Sequence, residues 1–172
     1  MRYLKLFFYL IYFISCKNTL QSTSIPPTKV SIATCPDNGV CSYQFIKNKA
    51  LNIKQDNFGS IYPEINDGND LVLQFEYKKQ SNSNHKDSNY REQVFIALDK
   101  KKLECNTENL KDKNIYFARL CYCKGQTGYY KIKQGKISVV KIGPNQFKMH
   151  LTFKIDEVPQ VINEISYIFN LD

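Results

Sequence analysis

From Phe147 to Ile155 apolar and polar residues alternate without a break. Phe147, Met149, Leu151, Phe153 and Ile155 interleave with Lys148, His150, Thr152 and Lys154. A period of two places all five apolar side chains on one face only if the chain is extended, so this segment is a half-buried strand. Runs of the same kind occupy 71–77, 90–98, 115–123, 129–133, 136–142 and 164–171, with shorter ones at 30–34, 40–46 and 50–54. Between them fall residues that favour turns: Pro36-Asp37-Asn38-Gly39, Asn66-Asp67-Gly68-Asn69, Gln134-Gly135 and Gly143-Pro144-Asn145. Short strands joined by tight turns predict an all-β, mainly antiparallel fold, a sandwich or a barrel-like sheet. Helix is expected in at most one or two short turns: one turn within 104–114, and a bend or short helical turn at 156–163, where Pro159 excludes a central strand.

The first fifteen residues, MRYLKLFFYLIYFIS, follow a different rule. Arg2 and Lys5 supply a positive start, and Leu6 to Ile14 is an uninterrupted apolar run. That run falls well short of the ~20 residues needed to cross a bilayer, so it reads as a signal peptide. Phe13-Ile14-Ser15-Cys16 offers a small residue before a cysteine in place of the usual pair of small residues. The motif resembles the lipobox of bacterial lipoproteins. The resemblance implies cleavage before Cys16, a diacylglycerol thioether on its sulfur and an acylated amine. Two or three fatty chains hold a protein on a membrane stably where one does not, each buried methylene contributing ~0.8 kcal/mol. Residues 17–29 are polar, include Pro26-Pro27 and show no apolar period, which makes 16–29 a lipidated tether and 30–172 the β domain.

Export predicts an oxidising compartment, and there the five cysteines beyond Cys16 are expected to pair as far as they can. Cys35 and Cys41 flank Pro36-Asp37-Asn38-Gly39-Val40 and face each other across a hairpin turn. Cys121 and Cys123 fall two apart on an expected strand, which puts them on one face but too far apart to bond easily. Cys105–Cys121 is therefore the expected second bridge, in preference to Cys105–Cys123, and Cys123 the expected free thiol. That thiol has three readings: a buried inert residue, a group for exchange or intermolecular pairing, or one ligand of a metal site with Cys105 and Cys121. The spacing matches no standard zinc pattern, so no metal is assigned.

The chain contains no G-x-S-x-G elbow and no phosphate-binding glycine loop. His85 falls in a polar loop at 78–89 and His150 on the polar face of a strand, neither placed for catalysis. Asn66 to Asp70 fails as a calcium loop, because Val72 stands where the glycine is required. No catalytic residue and no cofactor are assigned. Tyr122, Tyr129 and Tyr130, beside Lys124 and Lys131, form a candidate aromatic and cationic patch for a glycan or peptide, weighed against tyrosines that merely edge the core. The formal charge of +8 becomes +6 without the leader, which carries Arg2 and Lys5 and no acid. Its lysines are scattered and no ribonucleoprotein signature occurs, so no nucleic-acid partner is expected.

The CPDNGVC turn at 35–41, CYCKGQTGYYK at 121–131 and FKIDEVPQVINEI at 153–165 resemble small lipoproteins of Bacteroidota, flavobacterial ones above all, to which no activity attaches. The resemblance implies the outer membrane, because Lys17 is not the aspartate that favours inner-membrane retention. It implies a periplasm-facing position, because no acid follows Cys16 before Asp37. The expected function is therefore a membrane-anchored envelope lipoprotein whose β domain binds an unknown envelope protein or glycan without being an enzyme. The alternative is an envelope thiol-exchange protein, or another enzyme, using Cys121 or Cys123.

Overall fold

The computed structural model describes residues 35–80 and 89–171. The leader, Cys16, the tether, the 30–34 run and His85 lie outside the described residues. Among the described residues nine strands follow one another: β1 (Gly39–Gln55), β2 (Ile61–Lys79), β3 (Arg91–Leu98), β4 (Cys105–Thr107), β5 (Ile115–Leu120), β6 (Gly128–Lys131), β7 (Gln134–Lys141), β8 (Gln146–Lys154) and β9 (Glu164–Asn170). The described residues contain no helix. In place of the expected helical turn, 104–114 holds the short strand β4 and its following loop, whereas 156–163 is a bend, one of the two forms expected there.

All pairings are antiparallel. One sheet has the order β1-β2-β3-β5-β6 and the other β4-β7-β8-β9. Neither closes into a barrel, and the two pack face to face as an open, sandwich-like pair. The alternation along each strand determines what lies between them. Leu71, Leu73, Phe75 and Tyr77 of β2, Val94 and Ile96 of β3, and Phe117 of β5 meet Ile137, Met149, Leu151, Phe153 and Ile165 in one core. Aromatic rings bridge the two sheets: Phe117 with Phe153 at 6.0 Å, Phe45 with Phe169 at 4.8 Å, and Tyr43 stacked on Tyr167 at 4.6 Å. Each fully buried large apolar side chain contributes ~1.5–3 kcal/mol.

A second, smaller cluster lies on the opposite face of the first sheet. Val72, Phe95 and Ala118 alternate with the core residues and point outward, yet they are buried. Leu51, 4% exposed, covers them with help from Ile65. It reaches them because the β1–β2 hairpin is irregular between Lys47 and Lys49, where Asn48 takes a positive φ of 56°. Asn66 to Asn69, expected as a turn, lies inside β2 at this irregularity, and the chain reverses farther on, at 56–60. There Asp56 Oδ1 accepts the N–H groups of Phe58 (2.8 Å) and Ser60 (2.9 Å), an Asx-type turn whose Asp and Gly59 spell it in sequence. The distal hairpin thus folds back over the sheet, and Asn114 Nδ2 donates to Leu51 O (2.7 Å) to hold it there.

The expected Gly143-Pro144-Asn145 turn joins β7 to β8. Gln134-Gly135 instead begins β7, where Gly135 has φ 132° and a Cβ would collide with the Thr152 carbonyl. Only glycine lets the two backbones approach this closely.

Candidate functional site

Register places two cysteine loops at one end of the five-stranded sheet. Gly39 of β1 pairs with Lys79 of β2, Lys78 with Arg91 of β3, Arg91 with Leu120 of β5, and Arg119 with Gly128 of β6. The start of β1 and the β5–β6 loop therefore share that end.

At the first, Cys35 is bonded to Cys41 with Cα atoms 5.8 Å apart, as the turn between them predicts. Both cysteines pack on the main core. Beneath them Tyr77, fully buried, donates its hydroxyl proton to Asn38 Oδ1 (2.8 Å), and its ring fills the space a side chain at Gly39 would need.

At the second, the expected pairing is overturned. Cys121 is bonded to Cys123, with Cα atoms 5.2 Å apart, and among the described cysteines the free thiol is Cys105 rather than Cys123. The physical reason lies in where β5 stops. The strand was expected to run through Cys123 but ends at Leu120, and residues 121–122 bend. The bend removes the extended geometry that would have held the two sulfurs apart. Cys105 meanwhile belongs to β4 in the other sheet, opposite Val139, and packs against the main core. The three cysteines therefore form no joint ligand set, and among the described residues no three His, Cys, Asp or Glu side chains are grouped to hold a metal.

The expected aromatic patch divides. Tyr122 and Lys124 are exposed in the loop, Tyr122 at 90%, and with Cys121, Cys123, Gly125 and Thr127 they line a shallow concavity of about 470 Å³. Tyr129 and Tyr130, adjacent on β6, necessarily point to opposite faces. Tyr130 packs on Phe117 in the core, and Tyr129 on Phe95 in the outer cluster. Lys131 lies 4.7 Å above the Tyr116 ring and donates to the Lys113 carbonyl, away from the loop. Burial lowers its pKa.

The loop stands on a buried polar cluster that follows no sequence motif. Glu92 is 0% exposed, and its carboxylate accepts the N–H groups of Val161 and Ile162 (2.7 Å each) and the Tyr90 hydroxyl. Burial, and then the hydrogen bond to Glu92, push the Tyr90 phenol up to about 12; burial and the Glu92 charge raise Tyr77 as well. Arg119, opposite Glu92 in the β3–β5 register, lies with its guanidinium 5.4 Å from the Tyr90 ring centre. Its Nη1 donates to Gln126 Oε1 (2.6 Å), while Thr127 Oγ1 donates to Arg119 O (3.1 Å) and Gln126 N to Cys123 O (3.1 Å). The loop is thus fastened at its base by side chains independent of its disulfide. A sequence signal for this cluster existed: Glu92 and Arg119 are charged residues on the apolar faces of β3 and β5. No acid occurs between Asp112 and Asp156, so the loop's own charge, from Lys124, is positive.

No family model, curated protein or solved structure matches this chain.

Proposed function

We propose that this protein is a lipid-anchored accessory protein of the bacterial cell envelope whose β domain binds another envelope component through the 121–127 loop. The anchoring half of the reading rests on the apolar leader and on Phe13-Ile14-Ser15-Cys16. Lys17 directly after that cysteine, and no acid before Asp37, support a position at the outer membrane, facing the periplasm. The binding half rests on one observation: Tyr122, a large amphipathic side chain, is 90% exposed on a loop fastened at its base. Exposing an aromatic ring costs burial free energy, and a fastened loop loses little conformational entropy when a partner covers it. Lys124 beside it adds a cation, suiting a glycan or an acidic protein surface. The reading is of a binding module, not an enzyme.

Two measurements test it. Mass spectrometry of the amino-terminal peptide from membrane-extracted protein is expected to find acyl chains on Cys16; an unmodified Met1 or a free Cys16 thiol overturns the anchor. Chemical crosslinking in intact cells, comparing the natural chain with Tyr122→Ala, is expected to give a defined adduct that weakens at least about tenfold, as for a central aromatic contact. An adduct pattern unchanged by Y122A overturns the loop as the binding surface.

A further inference from the structure

We infer that Cys121 and Cys123 form a dithiol–disulfide exchange site, reacting reversibly with thiols of a partner protein or with small-molecule thiols. This goes beyond the binding reading and depends neither on the anchor nor on what Tyr122 contacts.

Three observations carry it. The bridge lines an open concavity beside the exposed Tyr122 and Lys124, so an incoming thiolate can reach the sulfurs. Its ring encloses a single residue, and a bridge closing so short a loop constrains the unfolded chain least. Third, the loop's base is fastened without it, through Arg119 to Gln126 and Thr127 to the Arg119 carbonyl. Opening the bridge leaves the two thiols on a loop that stays attached, ready to close again. The chemistry of the surroundings agrees. Lys124 is the one charged residue of the 121–127 loop, and positive charge favours the thiolate that leaves. Glu92, the acid beneath, is buried and engaged by two N–H groups and a phenol.

The step balances as follows. A thiolate R–S⁻ attacks one sulfur of the bridge, a new S–S bond forms to R, and the Cys121–Cys123 bond breaks. Its electron pair leaves on the other sulfur, which takes a proton. A second thiol of the same partner, or a second small thiol, then attacks the mixed disulfide and releases the remaining cysteine as a thiol. The two partner thiols are oxidised to a disulfide, and Cys121 and Cys123 are reduced by two electrons. The reverse sequence lets the dithiol reduce a partner's disulfide.

Glutathione is the probe. The chain as purified from cells is equilibrated in buffers of graded glutathione and glutathione disulfide, blocked with N-ethylmaleimide and mapped cysteine by cysteine. Cys121 and Cys123 are expected to open at a reduced-glutathione concentration at least about tenfold below that which opens Cys35 and Cys41. In Cys123→Ser and Cys121→Ser, the remaining loop thiol is expected to form a mixed disulfide with glutathione that the Cys105 thiol does not. Bridges that open together, or Cys35–Cys41 opening first, overturn the inference. So does a loop thiol that forms no adduct. The double variant Cys121→Ser, Cys123→Ser is expected to keep its β-sheet circular dichroism; a variant that unfolds assigns the bridge to structure and overturns the inference too.

Discussion

The Cys35–Cys41 and Cys121–Cys123 bridges occupy the same end of one sheet, and they differ in what each holds. The first closes a turn that packs on the main core, directly over the buried Tyr77, whose ring fills the space beside Gly39. Without it, the start of β1, an edge strand, would be retained by its pairing with β2 and by side-chain packing alone. The second bridge closes a single-residue ring on a loop already fixed by Arg119, Gln126 and Thr127. One disulfide therefore reinforces packing, whereas the other decorates a position secured by different means. Identical chemistry acquires a structural or a reactive character according to whether the fold beneath depends on it.

The sharpest way to break this contrast is to remove the fastening of the second loop. Arg119→Met deletes charge-assisted hydrogen bonds to Gln126 while preserving much of the buried stem, and it is expected to cost about 3 kcal/mol. Chemical denaturation measures that loss, and in this background reduction of Cys121–Cys123 should lower stability further. A cost near zero would mean that the loop is not held by its base.

A direct comparison of the two bridges comes next. Cys35→Ser with Cys41→Ser is expected to cost about 2 kcal/mol, whereas Cys121→Ser with Cys123→Ser should cost less than about 1 kcal/mol. Equal losses in urea titrations would erase the distinction.

The smallest effect is set by pH. Tyr77 under the first bridge and Tyr90 under the second both have phenol pKa values raised in the folded state, Tyr90 to about 12 from an ordinary 10.0. A raised value means that the folded protein holds the proton more tightly than the unfolded chain. The corresponding stability is complete below pH 10 and is lost as the pH rises toward 12. Ultraviolet titration of the native protein is expected to show a phenol ionising near pH 12 that disappears in Tyr90→Phe. If all phenols ionise together near pH 10, the buried cluster under the loops is not formed.

The same contrast separates what was legible in the sequence from what was not. Cys35–Cys41 was legible because its determinants are local: a turn sequence between two cysteines. The Cys121–Cys123 bridge was hidden because alternation alone gave no reason for β5 to stop at Leu120. The sequence also held a trace of the buried cluster, two charged residues in otherwise apolar strand faces, but not their pairing. Glu92 and Arg119 are brought opposite each other only by the β3–β5 register. The folded-back hairpin was missed for a related reason. Asn66 to Asn69 carries ordinary turn chemistry, and the chain uses it to bend a strand pair over its own sheet.

By itself, the alternation of apolar and polar residues determined the strand class and the inward faces, because side-chain direction in an extended chain depends only on parity. The turn residues between Cys35 and Cys41 determined that pair. Where strands end, which sheet each joins and which cysteine stays unpaired were decided by the tertiary structure. Those outcomes depend on register and packing between residues far apart in the chain, and no local pattern contains that free energy.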